Sequence, residues 1–370
     1  MKLLFVIDHL GPAGAQTQLV TLGTSLKVRG HTVEFFIYYP HFDHFRNILD
    51  AAEIPVHVSP KNSRNDIRPL IRLRRLVKTG KYDFAISYLT TPNIYNVLAA
   101  LKTTTKTIVS ERSTFHSDHV PRSVGRRFGM YRLADCIVVN SRHHHRRLCE
   151  EFPWMEERSR VITNGVDLAR FVPANSDRQQ GSADSDTLLA VGSIHSGKNH
   201  KGLVEALHVY QTTYGEPLRI RWAGRDPVKQ ADIIAHQEAR ASIRSYGLGD
   251  SWEWLGVRSD IPELLQQHDV FIHPSFFEGL PNVVCEALAT GTPVLASDVS
   301  DHRWLVSEGE TGFLFDPHNP TDIARAIRRF ILLTSEQKRT MARKARAFAE
   351  QELAVDVFVD AYERLFGSMQ

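Results

Sequence analysis

Short runs of β-branched and aromatic residues alternate with amphipathic segments along this chain, and the alternation starts over once. In the first half the runs cover residues 3–7, 33–38, 84–87, 107–110 and 136–140. The second series opens with "TLLAVGS" at Thr187 and continues through "LRIRWAG", "DVFIHPS" and "PVLASD". Strands separated by helical crossovers pair in parallel, so each series predicts an α/β unit with its own parallel sheet. Between them lies "PANSDRQQGSADSD", polar and poor in apolar residues, which marks a boundary. The expected organisation is one domain over 1–172, a linker over 173–186 and a second domain over 187–352, with a cleft between the two. The tail reads as three helices, "TDIARAIRRFILL", "SEQKRTMARKARAFAEQE" and "VDVFVDAYERLF", and the segment 353–370 is expected to cross back to the first domain.

A chain of 370 residues suits two domains of ordinary size, each burying its own core. With 42% hydrophobic and 24% charged residues it has the composition of a globular protein, not of a disordered one. Cys136, Cys149 and Cys285 are too few and too scattered for a disulfide framework or a zinc ribbon, which points to a reducing, cytoplasmic setting. The opening "MKLLFVIDHLGPAG" meets Asp8 and His9 after a short apolar run and reads as a first strand rather than a signal peptide. No apolar run approaches the roughly 20 residues needed to cross a bilayer.

Charge is distributed unevenly. Residues 1–170 carry 25 Lys+Arg against 15 Asp+Glu, or +10, and the remainder carries 20 against 27, or −7, which sum to the overall +3. Basic residues cluster in "RPLIRLRRLVK", "PRSVGRRFGMYR" and "RHHHRRL", each in a helical segment with apolar residues interleaved. One such run is usually a solvated face; three in one half favour an anionic membrane surface as partner. No nucleic-acid motif accompanies them, so nucleic acid is not an expected partner. His143, His144 and His145 do not form a metal site, because consecutive helical residues point in different directions; a solvated or lipid-facing helix is expected there.

Chemistry concentrates in the second half. "PSFFEGLPNVVCEALATGTPVLASD" places Glu278 and Glu286 on either side of a turn made by Gly279, Leu280, Pro281 and Asn282. Acidic residues suit a helical first turn and proline its first position, which would account for Glu286 but not for Glu278. Glu278 follows a strand, where loops of an open α/β sheet hold ligands. The turn opens a helix whose backbone amides can meet phosphate oxygens, and a carboxylate such as Glu286 can accept two hydrogen bonds from a ribose diol. In "AVGSIHSGKNHKGLVEAL" a strand ends in glycine, and Lys198 and Lys201 precede a helix where a lysine can hold a diphosphate. Gly11 and Gly14 follow the first strand but do not complete a dinucleotide fingerprint, and no acid ends the second strand, which disfavours a nicotinamide dehydrogenase.

Through most of its length the sequence resembles the retaining glycosyltransferases of family 4. The strongest element is the Glu-x7-Glu motif, Glu278 to Glu286, supported by "VITNGVDLARFVP", "GAQTQLVTLGTSLKVRGHTV" and "LADCIVVNS". The resemblance implies the GT-B fold, two facing Rossmann-like domains with parallel sheets and an interdomain cleft. It also implies that Glu278 touches donor-sugar hydroxyls, Glu286 the ribose, and the amides of Gly279 and Leu280 the diphosphate. Lys198 matches the family's phosphate-binding lysine, Gly14 the glycine loop facing the donor, and Gly256 to Arg258 the backbone that reads the base. The "EGLPN" form of the motif is similar to members that build surface polysaccharides or lipid-linked oligosaccharides from uridine diphosphate sugars. The expected protein is a peripheral enzyme on the inner face of the cell membrane, needing no cofactor, with a nucleotide-sugar donor and a lipid-linked or glycan acceptor.

The chain departs from the family pattern at several positions. The arginine usual after the glycine of the second domain's first strand is Ser193, which leaves that phosphate contact to Lys201 or Arg225. The histidine usual after the strand at 107–110 is replaced by Glu111 and Arg112, with His116 nearby, and these three are the acceptor-side candidates. After "ASD" the common Gly-x-x-Glu gives way to "VSDHRWLV". No Asp-x-Asp pair stands where a metal would be needed. The expected mechanism is metal-independent, with same-face attack and the leaving phosphate receiving the acceptor's proton; a covalent role for Glu278 is the weaker idea. The alternative from another class is a nucleotide-sugar epimerase, for which only Glu111 and His116 offer acid–base groups.

Overall fold

The computed structural model describes residues 1–112, 122–174 and 187–370. They divide into two compact units, Met1–Gly165 together with Val355–Gln370, and Val166–Ala354. Each unit is built on one parallel sheet, the arrangement the alternating pattern predicts.

The first sheet holds β1 (Lys2–Val6), β2 (Thr32–Ile37), β3 (Val56–Val58), β4 (Phe84–Tyr88), β5 (Lys106–Glu111), β6 (Cys136–Val139) and β7 (Ser159–Val161), in the order β3-β2-β1-β4-β5-β6-β7. Successive side chains of a strand point to opposite faces, and here both faces are covered. Leu3 and Phe5 pack with Leu19, Leu22 and Leu26 of the helix Gly14–Val28 and with Phe358, Tyr362 and Phe366 of the last helix, Val355–Met369. Leu4 and Val6 pack on the other side with Leu73 and Val77 of the helix Arg68–Gly80. Arg29 ties the last helix to this unit through Asp356 at 2.9 Å, Glu363 at 2.6 Å and Asp360.

The second sheet holds β8 (Thr187–Val191), β9 (Arg219–Ala223), β10 (Trp252–Gly256), β11 (Val270–His273), β12 (Val294–Ser297) and β13 (Gly312–Phe315), in the order β10-β9-β8-β11-β12-β13. Leu188 and Ala190 face a cluster with Leu203 and Leu207 of the helix His200–Tyr214 and with Ile323 and Ile327 of the helix Pro320–Ile331. Leu189 faces the opposite cluster, with Leu264, Val284 and Leu288. The tail forms the helices Pro320–Ile331, Ser335–Glu352 and Val355–Met369. Among the described residues no helix is long and apolar enough to cross a membrane.

Two expectations change. The sequence pattern signals nine strands, and the four it omits, β3, β7, β10 and β13, are the four sheet edges. The triple histidine lies on the helix Arg142–Glu151, where Arg142 and Arg146 are exposed, but the three histidines do not all share that solvated face. His144 is buried and pushed down to about 4 by burial and by neighbouring arginines, and His145 Nε2 bonds Ser159 Oγ at 2.8 Å.

Candidate active site

In an open parallel sheet, ligands bind beyond the carboxyl ends of the strands where the strand order reverses. In the second unit that point lies between β8 and β11, whose following loops carry Lys198 and Glu278. Glycines shape the first loop. A Cβ on Gly224 would lie 1.8 Å from the Gly192 carbonyl oxygen, so only glycine lets the ends of β8 and β9 approach this closely. A Cβ on Gly197 would lie 2.6 Å from the Phe277 ring, which therefore packs against the turn Ser196–Lys198. Asn199 ends that turn in a left-handed conformation (φ 53°) and caps the helix His200–Tyr214 by accepting from the Gly202 amide at 3.1 Å. Its amide nitrogen donates to the Pro317 carbonyl at 2.8 Å. These contacts fix the backbone from which Lys198 projects.

Lys198 Nζ meets Glu278 Oε1 at 2.5 Å. His273, the last residue of β11, reaches the same oxygen with Nε2 at 2.9 Å, and Ser275 Oγ lies 3.1 Å from that nitrogen. The Glu278 amide donates to Ser300 Oγ at 3.3 Å. Burial alone would push the Glu278 carboxyl up, but the His273 hydrogen bond and the Lys198 charge together hold it well below the usual carboxylate range. His273 is shifted down, first by burial and then by Lys198, and so stays neutral at physiological pH. It is the component that sequence reasoning missed; its only signal is its position at the end of the run "DVFIHPS".

The helix after the turn is Asn282–Ala289. Pro281 is its N-cap with extended backbone rather than its first residue, and the first turn holds no acid. Glu286 stands in the second turn, so complementing the helix dipole does not explain it. Its carboxyl is pushed up to about 7 by burial, with Arg170 pulling the other way. Gly279 is partly buried, and Leu280 is buried in the core beneath the helix.

The remaining donor-side candidates are spread over the same edge of the sheet. Ser193 and Arg225 are exposed, and the Arg225 carbonyl accepts from the Ile194 amide at 2.8 Å. Gly256 (φ 66°) accepts from the Gly224 amide at 2.8 Å, and Arg258 is paired with Asp260. Lys201 is turned to Glu238 at 2.9 Å. The structure thus joins Lys198 to Glu278, and it engages Lys201 and Arg258 with other carboxylates.

In the first unit Gly14 begins the helix Gly14–Val28. Glu111 is buried and paired with Arg127 at 3.3 Å, which occupies the carboxylate proposed for acid–base work. Arg112 stacks on the Tyr88 ring at 3.8 Å and bonds Ser110 Oγ at 3.2 Å and Asn164 Oδ1 at 2.5 Å; among the described residues its buried Nη2 meets no hydrogen-bond acceptor. His116 lies outside the described residues. Among the described residues no group of three or more His, Cys, Asp or Glu side chains is placed to hold a metal ion.

This geometry agrees with what the chain is similar to. The profile described as Glycosyltransferase Family 4 matches residues 12–170, and that described as Glycosyl transferases group 1 matches 173–348. The lipopolysaccharide core biosynthesis glycosyltransferase LpsE of Rhizobium meliloti is 26% identical over 65% of this chain and 67% of its own length. The UDP-Gal:alpha-D-GlcNAc-diphosphoundecaprenol alpha-1,3-galactosyltransferase of Escherichia coli is 25% identical over 75% of this chain and 73% of its own. Among solved structures, HepE of Anabaena in complex with UDP and glucose superposes with a TM-score of 0.84 at 22% identity, covering 100% of both chains. The chain therefore belongs to the glycosyltransferases of the GT-B fold, its first half a Family 4 domain and its second a group 1 domain.

Proposed function

We propose that this glycosyltransferase transfers a sugar, with retention of configuration, from a uridine diphosphate donor to a lipid-linked or polysaccharide acceptor. The observation that carries the reading is the Lys198–Glu278–His273 cluster at the switch point between β8 and β11. A cation and a carboxylate within hydrogen-bond distance of each other suit a ligand with an anionic leaving group and a hydroxylated sugar. UDP in the HepE structure and the uridine donor in the name of the E. coli relative support the choice of nucleotide.

Departure of the diphosphate builds negative charge, which a pre-placed cation and backbone amides stabilise. Lys198 supplies the cation, and Gly279 and Leu280 the amides. Glu286 takes the ribose and the backbone of Gly256 to Arg258 the base, with Gly14 on the glycine loop of the first unit. Where the family has arginine, Ser193 leaves a second phosphate contact to Arg225, because Lys201 is held by Glu238. Glu278 already receives Lys198 and His273 on one oxygen, which suits hydrogen bonding to sugar hydroxyls better than covalent attack. The leaving phosphate then takes the acceptor's proton. Arg112, which stands where the family has its histidine, is the acceptor-side candidate. No observation favours the epimerase, since Glu111 is paired with Arg127.

The acceptor reading extends to an anionic membrane surface at the cytoplasmic face. The helix Arg68–Gly80 presents Arg72, Arg75 and Lys78 to solvent beside Ile67, 63% exposed, and Ile71, 54% exposed. The decisive experiment is a thermal-shift comparison of UDP with ADP and GDP, followed by NMR of the product anomer. A ligand that binds only the folded state raises stability by mass action, about 2.7 kcal/mol at a hundred times its Kd. UDP should shift the melting temperature most. Equal shifts with all three nucleotides would refute the choice of donor, and an inverted anomer would refute retention.

A further inference from the structure

Glu278 Oε1 receives two donors of very different mobility. Lys198 reaches it at 2.5 Å from the end of a flexible stem. His273 reaches it at 2.9 Å from a strand terminus and is only 2% exposed. The imidazole is fixed on several sides: the Phe271 ring lies 5.9 Å away, the His302 ring 5.4 Å away and edge-on, and Ser275 Oγ 3.1 Å from Nε2. His302 is itself held by a 2.7 Å bond from Nδ1 to the Ser297 carbonyl. The His273 ring is enclosed by these neighbours, whereas the lysine ammonium ends a long flexible stem.

We propose that His273 is the positioning residue of the donor site, holding the Glu278 carboxylate aimed at the sugar when the donor's diphosphate draws Lys198 away. This rests on the reading above, in which Lys198 takes the diphosphate and Glu278 the sugar. A diphosphate carries more negative charge than one carboxylate and competes with Glu278 for the ammonium. A carboxylate in a part-buried place that loses its only partner either protonates or rotates toward water. With the Nε2–H of His273 still donating to Oε1, Glu278 stays ionised and in place, able to accept a hydroxyl hydrogen. His273 itself touches neither nucleotide nor sugar in this arrangement; it acts through Glu278.

The experiment uses the full-length protein with His273→Leu and His273→Gln. UDP affinity is measured by calorimetry, and turnover as UDP release from UDP-glucose, UDP-galactose, UDP-N-acetylglucosamine and UDP-glucuronate. UDP lacks the sugar, so the leucine variant should bind it within about threefold of wild type while turnover falls about tenfold or more, the scale of loss when a reacting group is misplaced. Glutamine can present an N–H to the same oxygen and should recover most of the lost turnover. Turnover within twofold of wild type in the leucine variant would overturn the proposal. So would a glutamine variant no better than leucine, or UDP affinity falling in step with turnover, since each would reduce His273 to packing. A wild-type protein that neither binds UDP nor releases it from any of the four sugars would overturn the donor reading itself, and His273 with it, before any variant is made.

Discussion

Glu286 offers a test whose size follows from its surroundings. Burial pushes its carboxyl up to about 7, against the pull of Arg170, so between pH 6 and pH 8 the group passes from mostly protonated to mostly ionised. With that value roughly one molecule in ten is ionised at pH 6 and roughly nine in ten at pH 8. A hydrogen bond to a charged acceptor is worth about 1.5 kcal/mol or more, a factor of roughly ten in affinity. Weighting the two forms by their populations, UDP should bind about fivefold more tightly at pH 8 than at pH 6. The assay is titration calorimetry of UDP at both pH values with wild type and Glu286→Gln. Glutamine stays neutral throughout, so its profile subtracts the ionisation of UDP and of other groups. The same shift has a consequence for stability. The folded value lies above the ordinary glutamate value of about 4.5, so the unfolded chain gives up its proton first, and stability falls as pH rises from about 4.5 through about 7. Glu286→Gln should therefore gain stability over wild type at pH 8 and little at pH 4, by about 3 kcal/mol or less where water reaches the carboxyl, read as a higher melting temperature at pH 8 only. Parallel pH profiles of UDP affinity in the two proteins would refute the ribose assignment.

Three further outcomes are expected. Lys198→Ala should weaken UDP binding and lower turnover, whereas Lys201→Ala should change UDP affinity less than twofold because Lys201 already pairs with Glu238; calorimetry and UDP release check the ranking. Glu278→Gln should lower turnover yet bind UDP a few-fold more tightly, since the lysine no longer has to leave a carboxylate; weaker UDP binding would show that the pair does not compete with phosphate. Reversing Arg72, Arg75 and Lys78 to glutamate should abolish co-sedimentation with anionic vesicles and leave UDP affinity intact, each basic residue near the surface contributing about 1 kcal/mol. Salt should release the wild type as the Debye length falls from about 10 Å at 0.1 M to about 3 Å at 1 M, and equal binding to neutral vesicles would remove the membrane claim.

The central strands of both sheets are legible because burial on two faces makes them continuous apolar runs, as in "CIVV" of β6 and "VLAS" of β12. Edge strands escape the same reading. β3 and β7 are three residues long and only partly buried, and β10 is buried at Trp252 but not along the rest of its length. An edge needs fewer apolar residues, so its pattern fades into the flanking loops. For the site, Lys198 and Glu278 stand 80 positions apart, and each stands out within its own motif. That Lys198 and His273 meet on one oxygen of Glu278 follows from strand order, which no local pattern carries.

The basic segments show why charge is harder to read than hydrophobicity. "RPLIRLRRLVK" and "PRSVGRRFGMYR" look alike as sequence, yet the fold uses them differently. On the helix Arg68–Gly80, Arg74 turns inward to the Leu98, Ala99 and Leu101 carbonyls at 3.1 to 3.2 Å, where a cation satisfies the end of the helix Thr90–Ala100. On the helix Arg122–Tyr131, Phe128 and Tyr131 are core residues rather than lipid-facing ones, and Arg127 donates to Thr90 Oγ1 at 2.9 Å and pairs with buried Glu111. A long side chain can lay its stem along either face of a helix, so an arginine's position fixes its face only loosely. A leucine at the wrong face loses its burial, whereas an arginine finds a carbonyl or a carboxylate. The surplus of ten positive charges in residues 1–170 therefore overstates what is available to a membrane. Among the described residues of the three basic segments, Arg72, Arg75 and Lys78 beside Ile67 and Ile71 are exposed in both charge and apolar surface, and this is the place where the membrane reading stands or falls.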